Sequence, residues 1–302
     1  MAMDRRKWFE KAAALSVLPF CPKSIWMNTQ MLQKPIPSTG ERIPVIGLGT
    51  WQTFDVSDNP AETTPLTEVL RTLTQSGGKV VDSSPMYGRS ESVLGDLSTD
   101  AGLNEKLFIA TKVWTSGREN GVEQMNRSMS LLRRKQIDLM QVHNLTDWQT
   151  HLLTLRKWKE EGRIRYFGIT HYTESAYPRI EKILREEPVD FLQINYSLSS
   201  RVAEERLFPL AIERKVAVLI NRPFEEGALF QVVKGRELPD WAVEFGCKSW
   251  GQFFLKFIVS HPAVTCAIPG TSKPHHMLDN ALAGTGRMPD EKERRRMISV
   301  LN

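Results

Sequence analysis

Four side chains, Asp82, Tyr87, Lys112 and His143, are of the types that could together move a proton. Asp82 closes the apolar run "KVVD" (79–82), and Tyr87 follows five residues later in a turn rich in Ser, Pro and Gly, "SSPMYGRSE". Lys112 lies near the end of "LFIATKV" (107–113), and His143 ends "IDLMQVH" (137–143). A free tyrosine has a pKa of about 10, so its phenol is a weak acid at neutral pH unless something stabilises the phenolate. A lysine ammonium held nearby by a carboxylate would do so, each pKa unit being worth about 1.4 kcal/mol. The expectation is that Asp82 holds Lys112, that Lys112 lowers the pKa of Tyr87, and that His143 orients an oxygen or relays the proton. Taken singly, each has an ordinary reading: Asp82 as a loop cap, Lys112 as an exposed strand end, His143 as a satisfied core histidine. Their order on consecutive apolar runs favours the joint reading.

These residues need a frame that brings several strand ends together. Apolar runs fall at 43–47, 79–82, 107–113, 137–143, 164–170, 190–196, 216–222 and 265–270, which makes eight. Helical patterns lie between them. In "GVEQMNRSMSLLRRK", Val122, Met125, Met129 and Leu132 recur three or four apart, one face of a helix. Short, continuously apolar strands are what a parallel sheet buried on both faces requires. Eight such units predict an α/β chain folded as a (β/α)8 TIM barrel, with chemistry at the carboxyl ends of the strands. Two short runs around Ser38-Thr39-Gly40 predict an N-terminal β-hairpin cap. No strand leads into G-x-G-x-x-G; "GLGTW" (47–51) lacks the third glycine, so a Rossmann site is unsupported.

The 302 residues carry a net charge of +5, with 40 basic side chains scattered among 35 acids, a weak basis for nucleic-acid binding. The run Arg294-Arg295-Arg296 sits beside Asp290, Glu291 and Glu293 and reads as a solvated helix face. Cys21, Cys247 and Cys266 lack CxxC spacing, which argues against structural zinc or a disulfide scaffold. No metal site is expected, and His275-His276 reads as a helix start. Residues 1–30 differ from the rest: Arg5-Arg6, then Trp8-Phe9 and Lys11, then an apolar stretch from Ala12 to Phe20. That is the order of a twin-arginine export signal, which predicts a leader recognised by export machinery, a periplasmic protein and a barrel over 31–302. Asp4 and Glu10, and the lack of an A-x-A-like cleavage site near Trp26, leave the alternative of a basic leader on a cytoplasmic protein.

In order from Arg42 to Asn280, seven stretches resemble the aldo-keto reductase superfamily. They are "GLGTW", "VVD" with the "SSPMYGRSESVLG" that follows it, "IATKVW", "DLMQVHN", "GRIRYFGIT", "LQINYS" and "IPGTSKPHHMLDN". The resemblance implies a TIM barrel that reduces aldehydes and ketones, small carbonyl substrates, with NADPH or less often NADH. It implies a tetrad of Asp82, Tyr87, Lys112 and His143, with Tyr87 as the general acid. For the cofactor it implies Gly49, Thr50 and Trp51 after the first strand, Thr170 and His171 where relatives often have Ser-Asn, and Gln193. Asn221 and Arg222 stand where an aromatic often stacks on the nicotinamide. Pro269, Gly270, Thr271, Ser272 and Lys273 lead into a helix start suited to phosphate. His276 replaces an arginine common in relatives that prefer NADPH, and Asp279-Asn280 resembles an adenine-binding pair. Trp51 and Trp114 would wall the substrate pocket, with Trp241 and Phe245 of the 224–246 insertion as a further wall. The alternative function is an exported module that holds a nucleotide with negligible turnover, since free NADPH is not expected outside the cytoplasm.

Overall fold

The computed structural model describes residues 30–301. The expected leader, with Arg5, Arg6 and Cys21, lies outside the described residues except for its last position. The described chain opens on an antiparallel hairpin, β1 (Gln33–Pro35) and β2 (Arg42–Pro44), turned through Gly40 at φ +79°. The hairpin plugs one end of a barrel. Ile36 and Ile43 are fully buried and join Val80, Phe108, Leu139, Tyr166 and Phe191 in the apolar interior.

The barrel strands are β3 (Leu48–Gly49), β4 (Val80–Asp82), β5 (Phe108–Val113), β6 (Ile137–His143), β7 (Ile164–Thr170), β8 (Phe191–Asn195), β9 (Ala217–Asn221) and β10 (Val264–Ala267). They pair in parallel in sequence order, and the bridges Ile46–Ala267 and Gly49–Gly270 close the ring. Around it lie α1 (Pro60–Gln75), α2 (Ser90–Asp100), α3 (Arg118–Leu131), α4 (Trp148–Glu160), α5 (Tyr177–Glu186), α6 (Val202–Glu213), α7 (Ala228–Val232), α8 (Trp250–Ser260), α9 (Pro274–Leu282) and α10 (Glu291–Ile298). This is the expected (β/α)8 barrel with its hairpin cap. Side chains alternate along a strand, so Phe108 and Ala110 on β5 join the interior filling while the next residue of that face, Lys112, reaches the polar end.

Three expectations need correction. The first barrel strand begins later than 43–47, because that run is divided between two partners. Its start pairs within the hairpin, whereas Val45 O accepts from Ala267 N and Gly47 N donates to Ala267 O. Trp241 and Phe245 do not wall the mouth. The Trp241 ring packs 5.6 Å from Phe253 of α8, and Phe245, 2% exposed, lies under Arg287 and 6.1 Å from Trp241, so Trp241 fastens the 224–246 segment to the buried helix α8 and Phe245 backs it.

The arginine run is not uniformly solvated either. Asp290 and Glu293 form a capping box that starts α10, and this orients Arg294 inward at 7% exposure. Its guanidinium donates to Phe257 O, to Tyr196 Oη at 2.6 Å and to Glu204 at 2.8 Å. Arg295 instead meets the exposed Glu291, and Arg296 covers Trp241. Arg294→Ala should therefore destabilise the fold by about 2–3 kcal/mol, since bonds to a charged group are lost in a buried place. Arg295→Ala should change it by under about 0.5 kcal/mol. Urea unfolding of both variants checks this; equal effects would remove the assignment of Arg294 as an anchor.

Candidate active site

The register of the barrel decides which side chains meet at its open end. Lys112 on β5 lies opposite Gln141 on β6, and Thr170 on β7 lies opposite Gln193 on β8. Lys112 is fully buried, and its Nζ donates to Asp82 Oδ2 at 2.7 Å and to Ser83 O at 2.6 Å. The other carboxylate oxygen accepts from Gln193 Nε2 at 2.8 Å and from Gln141 Nε2 at 3.4 Å. Thr170 in turn donates to Gln193 Oε1 at 2.8 Å. One ion pair thus ties the ends of β4 to β8 together. Such a pair gains little net stability over apolar packing, but removal of one partner leaves the other as an uncompensated buried charge.

Tyr87 reaches this pair from the turn after β4. Tyr87 N donates to Ser84 O, and Gly88 takes φ +57°, a conformation that favours glycine. A Cβ on Gly88 would also lie 2.3 Å from the Asp55 carboxylate, which accepts from Arg89 N at 2.9 Å. The turn sets the Tyr87 ring with its centroid 4.9 Å from Lys112 Nζ and 5.9 Å from the edge-on ring of His143. The structure therefore brings Asp82, Tyr87, Lys112 and His143 into one cluster. Trp114, 43% exposed, stands beside it, its ring 6.3 Å from His143 and its backbone clamped by Gln124; Trp51, 41% exposed, follows the buried Thr50 in the chain.

The electrostatics correct one expectation. Burial pushes the Tyr87 phenol above its ordinary value; Lys112 pulls it down, Asp82 pushes it up, and the net shift is upward. Burial also opposes the Lys112 ammonium, yet Asp82 and Tyr87 outweigh it and hold the lysine above its ordinary value. His143 is driven down to about 3 by burial and then by Lys112, so its ring is neutral near pH 7. The cluster holds a persistent cation, a protonated phenol and a neutral imidazole.

The residues expected around a cofactor divide into two sets. Thr50 is engaged within the protein: its hydroxyl lies 3.0 Å from both Asp82 O, which accepts its proton, and Ser83 Oγ. Thr170 and Gln193 are engaged as above. Asp279 accepts from Ser249 at 2.5 Å and Gln252 at 2.6 Å, tying α9 to the start of α8, with Asn280 buried beside it. His171 stacks on Tyr172 at 5.5 Å. Arg222 pairs with Glu226 at 3.2 Å and donates to Tyr172 O at 3.4 Å.

Other polar atoms are free to meet a ligand, one of them on Arg222 itself. Among the described residues, Asn221 Oδ1 and Arg222 Nε are buried with no hydrogen-bond partner. Gly270 lies beside Gly49, Pro269 precedes it, and Thr271 accepts from Lys273 N ahead of α9. Ser272, Lys273 and His276 are exposed there. Burial, then His275 and Lys273, hold His276 below its ordinary value. It does not replace a permanent arginine charge; Lys273 is the cation at this helix start. An unpartnered acceptor and donor at the mouth, with a basic helix N-terminus nearby, fit a polar anionic nucleotide.

Sequence reasoning missed several members of the cluster. Gln141 stands two residues before His143, so strand parity alone places it on the same face. Ser84 lies between Asp82 and Tyr87 in the chain, yet nothing in that position announces its contact with His143 Nδ1 at 3.0 Å. Glu91, buried in the first turn of α2, accepts from Thr111 at 2.5 Å and Ser128 at 3.0 Å, and burial pushes its carboxyl up.

Residues 45–295 match the model of the Aldo/keto reductase family. Methylglyoxal reductase YeaE of Escherichia coli is 24% identical over 260 residues, 83% of this chain and 89% of that protein. Glyoxal reductase of Bacillus subtilis is 23% identical over 246 residues, 80% of this chain and 83% of its own length. An aldo-keto reductase from Klebsiella pneumoniae, solved in complex with NADPH, superposes with a TM-score of 0.73 at 23% identity, covering 89% of this chain and 95% of that one. An aldo-keto reductase from Bacillus halodurans in its holo form gives 0.73 at 20% identity, covering 90% and 96%. Such structural likeness establishes the fold.

The ion pair makes a direct prediction. Asp82→Asn should destabilise the protein by about 3 kcal/mol by leaving Lys112 without a counter-charge, and Asp82→Asn with Lys112→Met should recover much of that loss. Denaturant unfolding of the single and double variants measures the coupling; simple additivity would contradict it.

Proposed function

This chain belongs to the aldo/keto reductase family, and on that premise we propose that it reduces small aldehydes or ketones with NADPH, Tyr87 supplying the proton. The observation that carries the reading is the buried Lys112 ammonium, fixed on Asp82 at 2.7 Å and set 4.9 Å from the Tyr87 ring at the carboxyl end of the barrel strands. When bound, the dinucleotide supplies a hydride to the carbonyl carbon. Tyr87 gives its phenolic proton to the carbonyl oxygen, and Lys112 stabilises the charge left on the phenolate. Asp82, with Gln193 and Gln141 bonded to it, keeps the ammonium in place. His143 is neutral, so it acts as a hydrogen-bonding partner of the oxygen rather than as the acid.

Lys273 and the start of α9, with Gly270, Thr271 and Ser272, would hold the phosphates, and Asn221 Oδ1 offers an acceptor at the nicotinamide end. The Lys273 cation and the NADPH-bound relative support NADPH ahead of NADH. The names of the relatives, methylglyoxal and glyoxal reductases, support a small 2-oxoaldehyde as the substrate class.

The test is NADPH oxidation by the purified protein with a panel of 2-oxoaldehydes and simple aldehydes. Turnover is expected, and Tyr87→Phe should lower kcat by about 100-fold or more with NADPH affinity retained. Tightly retained nucleotide without oxidation would instead favour the holding module. The pH profile adds a second check. Reduction uses the protonated phenol and the folded phenol is shifted upward, so kcat should stay level through neutrality and fall only above about pH 10. A decline that begins near pH 7 would contradict Tyr87 as the acid.

A further inference from the structure

Ser84 sits in the turn between Asp82 and Tyr87 and is fully buried. Its Oγ accepts from Met86 N at 3.2 Å and lies 3.0 Å from His143 Nδ1. A hydroxyl has one proton to donate. Among the described residues, His143 Nδ1 is the acceptor in reach of that proton. If Nδ1 carried a hydrogen, Ser84 would accept twice and its own buried O–H would be left without a partner, at a cost of about 1–3 kcal/mol. Donation from Ser84 to Nδ1 satisfies both groups.

We infer that Ser84 fixes His143 in the tautomer that carries its proton on Nε2, leaving that N–H as the ring's donor toward the carbonyl oxygen. Ser84 is a positioning residue: it acts through the imidazole and touches no reacting atom. The neutral state of the ring supports this, because a cationic ring would carry both protons whatever Ser84 did. The edge-on Tyr87 ring at 5.9 Å and the Trp114 ring at 6.3 Å limit how the imidazole can turn, so the Ser84 hydroxyl at Nδ1 decides which nitrogen donates. The kinetic consequence rests on the reductase reading; the tautomer itself does not.

Nitrogen-15 NMR of histidine-labelled protein tests this, with His143→Gln identifying the signals of one ring among the six histidines. The expected wild-type spectrum has an unprotonated Nδ1 and a protonated Nε2 for His143. In Ser84→Ala the Nδ1 resonance should move and an Nδ1-protonated fraction should appear, with kcat/KM for the carbonyl down about tenfold and NADPH affinity unchanged. Ser84→Thr, which keeps the hydroxyl, should restore the wild-type tautomer and rate. A wild-type Nδ1–H signal, or a Ser84→Ala spectrum that superimposes on the wild type, overturns the inference. A protein that reduces no carbonyl yet shows the expected tautomer and its loss in Ser84→Ala keeps this inference and overturns the reductase reading instead.

Discussion

The site depends on an ion pair with almost no access to water. Lys112 and Asp82 meet at 2.7 Å with side-chain exposures of 0% and 4%, where water cannot screen the charges. Burial at this depth favours a neutral lysine, so the ammonium persists only because the carboxylate and the neighbouring phenol outweigh the loss of hydration. The barrel supplies what that balance requires. Parallel strands end side by side, about 4.8 Å apart, so β4, β5, β6 and β8 each add a donor or acceptor to the same ion pair without a long loop.

Around this fixed charge the other groups take definite states. Lys112 helps to keep His143 neutral, while burial holds the Tyr87 proton more firmly than the lysine loosens it. The lysine is better described as a stabiliser of the phenolate that forms during proton transfer than as a device that ionises the resting phenol. That is the more useful arrangement for a proton donor, since interactions stronger in the transition state than in the ground state are those that accelerate a reaction. Burial around the ion pair strengthens the effect, since charges interact more strongly where water is excluded.

Much of this was legible in the residues. The apolar runs that end in Asp82 and His143, and the one that carries Lys112, are strands of the barrel, and their order places three reactive side chains at one end. What escaped depends on burial and on partners distant in sequence. Asp82, Lys112 and Tyr87 name the charges that meet, but the direction of the Tyr87 shift turns on how deeply the ring is enclosed. Arg294 looks like its neighbours Arg295 and Arg296 until the capping box of α10 orients it inward onto Tyr196 and Glu204. Trp241 and Phe245 could wall a pocket or anchor a segment, and only the position of α8 decides between them. Thr50 and Gln193, expected at a nucleotide, also bond to the strand end that carries Asp82, a partnership their place in the sequence does not announce.

Where the protons of Lys112 and Tyr87 reside at neutral pH is observed directly by neutron diffraction from perdeuterated crystals. Three deuterons are expected on Lys112 Nζ, directed in part at Asp82 and Ser83 O, and one on Tyr87 Oη. A neutral amine at Lys112, or a phenolate at Tyr87 in the resting protein, would contradict it.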